Sequence, residues 1–142
     1  MIKVAINGFG RIGRMVLRSI IENKIKSIKV VAINNRADTG TSAFLLEKDT
    51  IHGNLNMPVQ FDKKSIKVAG QNILCFHESD PENLPWKKLG VDIVFECTGK
   101  FNSKEQSSKH LLAGAKRVLV SAPCKNADQT IVYGVNEKKI SS

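Results

Sequence analysis

The chain has 142 residues, of which 42% are hydrophobic and 25% charged, with a formal net charge of +9. This length suits one domain with a sizeable core, and the composition is ordinary for a globular protein. The sequence contains neither an apolar run long enough to span a membrane nor the ordered regions of a signal peptide, so we expect a cytoplasmic protein without a membrane partner. The three cysteines are widely spaced and predict neither a disulfide framework nor a zinc site.

The positive charge has two interpretations. A basic surface attracts phosphates, which would suit a nucleic-acid or other anionic partner. The lysines are nevertheless dispersed along the chain, and the aromatic residues are too few for a base-stacking platform. We therefore expect a solvated lysine-rich surface and no nucleic-acid partner, and keep a basic nucleic-acid binder as an alternative.

The first half of the chain alternates between strand and helix patterns. Residues 2–7 have little polar content on either face, which predicts a strand buried on both faces of a parallel sheet. Residues 11–23 have apolar positions at helical spacing, and residues 28–34 form a second apolar run. Thr39 or Thr41 is expected to cap a second helix that continues to Leu46.

In the second half of the chain, the alternation of strand and helix patterns is first interrupted and then returns. Short runs at 58–61, 65–68 and 72–76 are separated by turn-like residues and predict a small antiparallel excursion. Strands are then expected at 91–97, 117–121 and 130–134, with a helix over 103–115 in which Ser103 and Gln106 have the spacing of a capping box. The fold class predicted is α/β, a doubly wound, mostly parallel Rossmann-like sheet with a small antiparallel excursion.

Gly8, Gly10 and Gly13 form a GxGxxG motif between the first strand and the first helix. Glycines in this position permit a tight turn, let the backbone approach a pyrophosphate, and let the helix pack closely on the strand. We therefore predict a dinucleotide site, with the backbone N–H groups of Arg11 and Ile12 facing the phosphates. The alternative is a glycine-rich turn without a ligand.

The second strand ends in Asn34, Asn35 and Arg36. A dinucleotide fold that uses NAD usually has an acidic residue here for the adenosine ribose, whereas a nearby arginine accommodates the extra phosphate of NADP. Asn35 and Arg36 therefore leave the cofactor as NAD or NADP, with acceptance of NADP suggested. A merely polar loop is the alternative.

Six segments, in order and spacing, resemble the amino-terminal domain of the glyceraldehyde-3-phosphate dehydrogenase family: INGFGRIGR, VVAIN, LLEKDTIHG, ECTGKF, GAKRVLVSAP and GVNEKK. The related erythrose-4-phosphate dehydrogenase shares most of this pattern. The resemblance covers essentially the whole chain and implies an NAD(P)-binding domain followed by a catalytic domain. It also implies oxidative phosphorylation of a small phosphorylated aldehyde through a cysteine thioester, in a homotetramer.

The same resemblance implies cofactor contacts with the pyrophosphate for Arg11 and Ile12, with the ribose and pyrophosphate for Thr98 and Gly99, with the adenine for Phe101, and with the nicotinamide end for Ser121. Two positions depart from the family pattern. Asn35 stands where NAD-using members usually have aspartate, and Ser79 stands where many members have an arginine near the adenine. These departures bear on the choice between NAD and NADP.

The family's nucleophile lies in a Ser-Cys-Thr-Thr-Asn run beyond GVNEKK, and the sequence given ends at Ser142 before such a run. Cys75, Cys97 and Cys124 lack that setting, and we assign no role to the histidines. We therefore expect residues 1–142 to form a dinucleotide-binding domain from which the catalytic domain is absent, and to be inactive alone. An erythrose-4-phosphate dehydrogenase and a stand-alone nucleotide-binding module are the alternatives.

Overall fold

Apolar strands and amphipathic helices assemble into a seven-stranded sheet in the structure, a computed structural model that describes residues 1–140. The strands are β1 (Ile2–Asn7), β2 (Ile28–Asn34), β3 (Gln60–Phe61), β4 (Ser65–Val68), β5 (Gln71–Phe76), β6 (Ile93–Glu96) and β7 (Arg117–Val120). The helices are α1 (Arg11–Glu22), α2 (Thr39–Glu47), α3 (Trp86–Leu89), α4 (Lys104–Ser107) and α5 (Lys109–Leu112), with short 3-10 turns at Pro81–Asn83 and Glu137–Lys139. None of the helices within the described range is both long and apolar enough to traverse a lipid bilayer.

The sheet has the order β3-β4-β5-β2-β1-β6-β7. Strand β1 pairs in parallel with β2 and β6, β2 pairs in parallel with β5, and β6 pairs in parallel with β7. Strand β4 runs antiparallel to β3 and β5. The predicted fold class is therefore confirmed, including the antiparallel excursion. The chain first extends the sheet to one side of β1 and then returns to its other side at β6, which makes β1 the topological switch point.

The core lies on both faces of this sheet because successive residues of a strand point to opposite faces. Ile6 packs in a cluster with Leu17 of α1 and Leu46 of α2. Its neighbour Ala5 belongs to a second cluster that contains Trp86 of α3. Burial on both faces is why β1 and β2 lack the alternation of a half-exposed strand.

The strand predicted at 130–134 is wrong. These residues lie within the described range and pair with no strand there. Asn136 satisfies the backbone of this segment locally: its Oδ1 accepts a hydrogen bond from the Val132 N–H at 2.6 Å, and its Nδ2 donates to the Thr130 carbonyl at 2.9 Å. The side chain of Tyr133 is exposed rather than packed. A β-branched composition without a buried face therefore does not produce a strand here.

The helix predicted over 103–115 is two short helices, α4 and α5, separated at Ser108. The Ser103 cap is confirmed, since Ser103 Oγ accepts a hydrogen bond from the Gln106 N–H at 3.2 Å. The hydroxyls of Ser107 and Ser108 donate to carbonyls of the preceding turn, which competes with regular helical bonding. Gly114 then adopts a φ of +105°, so the helix ends before Ala115.

Asp38, rather than Thr39 or Thr41, caps α2. Its carboxylate accepts hydrogen bonds from the Thr41 N–H and the Thr41 hydroxyl, each at 2.8 Å. These hydrogen bonds lower the pKa of Asp38, beginning with the bond from the Thr41 N–H, and favour the ionised form that suits a helix N-terminus. Helix α3 was not predicted, because its four residues are too few for a periodic pattern.

Candidate functional site

A cleft of about 370 Å³ opens at the carboxyl ends of the strands around β1. Its lining consists of Asn7, Gly8, Gly10, Asn34, Asn35, Arg36, Glu78, Ser79, Cys97, Thr98, Lys100 and Phe101. These residues follow or end β1, β2, β5 and β6, on both sides of the switch point. In open doubly wound sheets, ligands bind in the crevice at that position.

The cleft brings together seven of the predicted site residues, which are Gly8, Gly10, Asn35, Arg36, Ser79, Thr98 and Phe101. Five others are not among its lining residues, namely Arg11, Ile12, Gly13, Gly99 and Ser121. The structure thus gathers predicted residues from separate parts of the sequence at one place.

Gly8 and Gly13 are required by the packing of the turn. Gly8 has a φ of +89°, and a Cβ on it would lie 2.7 Å from the backbone nitrogen of Thr98. A Cβ on Gly13 would overlap the carbonyl oxygen of Gly8 and lie 3.1 Å from the Ile6 side chain. These two glycines let the turn pass under the loop after β6 and let α1 lie directly on β1.

Gly10 differs from Gly8 and Gly13. Its φ of −77° is open to any residue, and a Cβ on it would meet nothing within 4 Å. It is also the N-cap of α1 and offers no side chain to the N–H groups of the first turn. The backbone therefore borders open space in the cleft where a helix N-terminus attracts an anion.

The side chain of Arg11 points to a neighbouring loop. Its Nη1 lies 3.8 Å from Asp49 Oδ2 in an ion pair. Hydrogen bonds from the backbone N–H groups of His52 and Ile51 lower the pKa of Asp49 to about 2, so this carboxylate is ionised at neutral pH. Arg11 therefore ties α1 to the loop after α2, and only its backbone is left for the role predicted at the phosphates. Ile12 follows it with 53% of its surface exposed.

Asn35 and Arg36 lie together where β2 ends, as predicted. Asn35 Nδ2 donates to Ser42 Oγ at 3.3 Å, and the Asn35 carbonyl lies 2.8 Å from His77 Nδ1. The amide oxygen of Asn35 has the chemistry to accept a hydrogen bond from a ribose hydroxyl. Arg36 is exposed at the edge of the cleft, so its charge is solvated.

Of the other predicted residues, Gly99 and Phe101 belong to the loop 97–101, and Ser79 and Ser121 lie outside it. Ser79 is exposed on the opposite wall, after β5. Gly99 has a φ of +71°, and its carbonyl accepts a hydrogen bond from Asn102 Nδ2 at 2.8 Å. Phe101 packs edge-on against His110, with ring centroids 6.5 Å apart. Ser121 is exposed after β7, where its N–H donates to the Glu96 carbonyl at 3.1 Å.

Sequence reasoning missed a buried polar network beneath the cleft. Glu96, at the end of β6, is 1% exposed. Its Oε2 accepts hydrogen bonds from Asn7 Nδ2 at 2.6 Å and from His110 Nε2 at 2.7 Å. Its Oε1 accepts from the Thr98 N–H at 2.9 Å and from the Thr98 hydroxyl. The carboxylate therefore joins β1, α5 and the loop after β6.

The position of the proton on His110 follows from the hydrogen bond at its Nδ1. His110 is fully buried, and its Nδ1 lies 3.0 Å from Trp86 Nε1. An indole N–H can only donate, so Nδ1 accepts and is not protonated. The proton of a neutral His110 is then on Nε2, where it is donated to Glu96. Burial opposes ionisation of Glu96, but hydrogen bonds from His110, Asn7 and Thr98 outweigh it and lower the pKa of Glu96.

The network continues to the other wall of the cleft. Asn34 Nδ2 donates to Asn7 Oδ1 at 2.7 Å and to the Glu78 carbonyl at 2.9 Å, and Asn34 Oδ1 accepts from the Glu78 N–H at 2.8 Å. One signal in the sequence could have revealed these residues. Asn7, Asn34 and Glu96 each place a polar group at the carboxyl end of an apolar strand, and such ends meet at one edge of a parallel sheet.

One of the residues that line the cleft, Cys97, has a thiol. Burial raises the pKa of Cys97, which keeps it a neutral thiol. The cleft otherwise presents hydrogen-bonding groups, the open backbone at Gly10, the two cations Arg36 and Lys100, and one acidic residue, Glu78. This arrangement suits the binding of a polar, negatively charged ligand.

Comparison with known proteins agrees with this geometry. Residues 2–104 match the family model described as glyceraldehyde 3-phosphate dehydrogenase, NAD binding domain. A glyceraldehyde-3-phosphate dehydrogenase from Geobacillus stearothermophilus is 51% identical over 138 residues, covering 97% of this chain and 41% of the relative. A glyceraldehyde-3-phosphate dehydrogenase from Thermotoga maritima is 50% identical over 140 residues, covering 99% of this chain and 42% of the relative. A third, from Zymomonas mobilis, is 47% identical over 142 residues, covering 99% and 42%.

The chain thus spans about two fifths of the length of these curated relatives. The family model covers most of the chain, including β1, the glycine turn, β2 and β6. The chain belongs to the glyceraldehyde-3-phosphate dehydrogenase family and carries the NAD-binding domain of that family.

Proposed function

We propose that the cleft is where the NAD(P) dinucleotide binds, with its pyrophosphate against Gly10 and the N-terminus of α1. The observation that carries this proposal is the contrast among the three glycines. Space for a Cβ is missing at Gly8 and Gly13 and open at Gly10. A glycine that the fold itself does not need, at a helix N-terminus in the cleft, fits a group that approaches the backbone closely.

The remaining contacts proposed follow the order of the strands. Asn35 and Arg36 would hold the adenosine ribose, Ser79 and Phe101 the adenine, and Thr98 with Gly99 the ribose and pyrophosphate. The backbone of Arg11 and Ile12 would face the phosphates. Ser121 would lie toward the nicotinamide. The lining of the cleft by Asn35, Arg36, Ser79, Thr98 and Phe101 supports this assignment.

Acceptance of NADP is the finer part of the proposal. Asn35 carries no charge that repels a 2′-phosphate, and Arg36 can donate to one with its guanidinium. The exposure of Arg36 limits the preference, because exposed charge pairs contribute only about 0–1 kcal/mol. We therefore propose a protein that binds both cofactors, with neither strongly excluded.

For the whole protein we propose oxidation and phosphorylation of glyceraldehyde 3-phosphate to 1,3-bisphosphoglycerate, a reaction of glycolysis and gluconeogenesis. The bound dinucleotide would supply the hydride acceptor. Support comes from the names of relatives that are about 50% identical. Residues 1–142 would act as the dinucleotide-binding domain, and the whole protein would be a cytoplasmic homotetramer. Oxidation of erythrose 4-phosphate is the alternative, since the related enzyme shares most motifs.

Calorimetric titration of the 142-residue chain with NAD and with NADP tests the binding proposal. We expect saturable one-site binding of both dinucleotides. Unrelated duplex DNA, titrated at physiological ionic strength, serves as the comparison ligand for a basic nucleic-acid binder. Salt-sensitive DNA binding without dinucleotide binding would contradict the proposal.

The product of the complete reading frame tests the catalytic part. We expect NADH or NADPH formation from glyceraldehyde 3-phosphate and phosphate, with a higher kcat/KM than for erythrose 4-phosphate. The opposite order of kcat/KM would favour the erythrose-4-phosphate enzyme. Dinucleotide binding without either activity would favour a stand-alone nucleotide-binding module.

A further inference from the structure

We propose that Glu96 is a positioning residue for the cofactor loop, which is residues 97–101. Trp86 sets the orientation of the Glu96 side chain through the protonation state of His110. This inference rests on the proposed dinucleotide site, because Thr98, Lys100 and Phe101 of that loop line the cleft. Glu96 itself is buried beneath the cleft and acts through Thr98.

Four hydrogen-bond donors surround the Glu96 carboxylate. Oε1 faces the N–H and the hydroxyl of Thr98, while Oε2 faces Asn7 Nδ2 and His110 Nε2. An ionised carboxylate accepts at both oxygens and matches all four donors. A glutamine has one NH₂ group in place of one oxygen. It must therefore direct donors at donors, either toward Thr98 or toward Asn7 and His110.

His110 cannot move its proton from Nε2 to Nδ1 while Trp86 donates to Nδ1. The Trp86 N–H requires an unprotonated Nδ1, so Nε2 keeps its proton and donates toward Glu96. A histidine free to exchange its proton between the two nitrogens would instead present Nε2 as an acceptor. The indole therefore fixes which end of the Glu96 side chain must be an acceptor.

The buried network extends into the cofactor loop through Thr98. The Thr98 hydroxyl, which donates to Glu96, also accepts the Lys100 N–H at 3.1 Å. The Thr98 backbone approaches Gly8 so closely that Gly8 can carry no Cβ. A shift of Thr98 would therefore move both the cofactor loop and the glycine turn. A residue that merely stabilised the core would not act on these two segments selectively.

The test combines two substitutions in the 142-residue chain, Glu96→Gln and Trp86→Phe, alone and together. Amide hydrogen exchange at Thr98 reports the loop without any ligand, and titration with NAD reports the site. Asp92→Asn is the matched control, because Asp92 lies just before β6 and its carboxylate accepts a hydrogen bond from the Lys3 N–H of β1 at 2.9 Å. That carboxylate belongs to the opposite end of the strand from the loop.

We expect Glu96→Gln to speed exchange at Thr98 and weaken NAD binding, each by about tenfold or more, since hydrogen bonds to a charged group are lost. Asp92→Asn should change both quantities by less than about threefold, and Trp86→Phe should change them by less than Glu96→Gln does. The double variant should recover part of the loss, because His110 without the indole donor can accept from the NH₂ group of the introduced glutamine, while Asn7 Nδ2 still faces that group as a donor. Wild-type values in Glu96→Gln, or no recovery in the double variant, would overturn the inference.

The protonation state of His110 is measured on the wild-type chain by long-range ¹H–¹⁵N NMR, so this arm does not depend on any variant folding. We expect a proton on Nε2 and none on Nδ1, because the Trp86 N–H donates to Nδ1. A proton on Nδ1 would overturn the inference. Absence of NAD binding by the wild type would instead refute the proposed function, while the exchange and NMR arms would still decide the role of Glu96.

Discussion

Replacement of Gly10 by valine is expected to abolish dinucleotide binding and leave the domain folded. A Cβ at this position meets nothing within 4 Å, and the backbone is extended, with φ of −77° and ψ of −157°, so a side chain begins here without a clash at its Cβ. Loss of glycine's freedom in the unfolded chain stabilises by about 0.4–1 kcal/mol. Loss of glycine as N-cap costs about 0.5–1.5 kcal/mol. The net change in the free energy of unfolding is therefore within about 1 kcal/mol, or about 4 °C in Tm for a chain of this size.

The effect on binding is much larger. The valine side chain would occupy the space proposed for the pyrophosphate and keep it from the N–H groups of α1. Each hydrogen bond to a charged group contributes about 1.5–3 kcal/mol, so the loss of two weakens binding by about a hundredfold or more. Gly10→Ala, with a smaller side chain, should give an intermediate loss.

Gly13→Ala is the matched comparison, because this substitution should lower the stability of the fold. Alanine is favoured over glycine in a helix by about 1 kcal/mol, but its Cβ would overlap the Gly8 carbonyl oxygen. Overpacking of this kind costs about 1–3 kcal/mol or more, so a net fall in Tm of several degrees is expected.

Thermal unfolding followed by circular dichroism and calorimetric titration with NAD and NADP measure the two effects for each variant. Undiminished affinity in a folded Gly10→Val protein would refute the assignment of the phosphate site. A larger loss of stability for Gly10→Val than for Gly13→Ala would refute the distinction between the two glycines.

Three further predictions concern cofactor preference, activity and pH. Asn35→Asp combined with Arg36→Leu should shift the ratio of NADP to NAD affinity toward NAD by about two- to thirtyfold, since each of the two exposed charges contributes at most about 1 kcal/mol; an unchanged ratio on titration contradicts this. The 142-residue chain should form no NADH from glyceraldehyde 3-phosphate and phosphate, so NADH formation that disappears in Cys124→Ser would show this cysteine to be catalytic. The pKa of Asp49 is lowered to about 2, so its ionised form stabilises the fold at neutral pH and this stability is lost as the pH falls toward 2. The Tm of wild type should therefore exceed that of Asp49→Asn at pH 7 and converge with it in acid, and a gap that widens in acid would be evidence against this coupling.

The sequence predicted the central strands well because their burial is visible in their composition. The bounds expected for β1 and β2, 2–7 and 28–34, agree with the structure. The segment 130–134 has a similar β-branched composition but no buried face, and Asn136 satisfies its backbone. Composition alone does not distinguish these two cases, since tertiary burial decides whether such a run pairs.

The glycine turn was predictable from local spacing, whereas the contacts within the buried network were not, even though the polar ends of its strands are visible in the sequence. Gly8, Gly10 and Gly13 act within one strand–turn–helix unit, so local spacing carries the signal. Asn7 and Glu96 are 89 residues apart in sequence, and Asn7 and His110 are 103 apart. Their contact depends on the pairing of β1 with β6 and on the docking of α5. The cofactor contacts assigned to individual residues are still predictions.

The central place of β1 has a consequence for synthesis of the protein. Residues of β1 are made 89 residues before the β6 residues that they contact. At about 5–20 residues per second, a ribosome needs about 4–18 s to add that length of chain. Throughout this interval one edge of β1 exposes unpaired N–H and C=O groups to other chains. The cleft also lacks its Thr98 wall until β6 has been added, so the β1–α1–β2 unit alone has only the part of the proposed site at Gly10, Asn35 and Arg36.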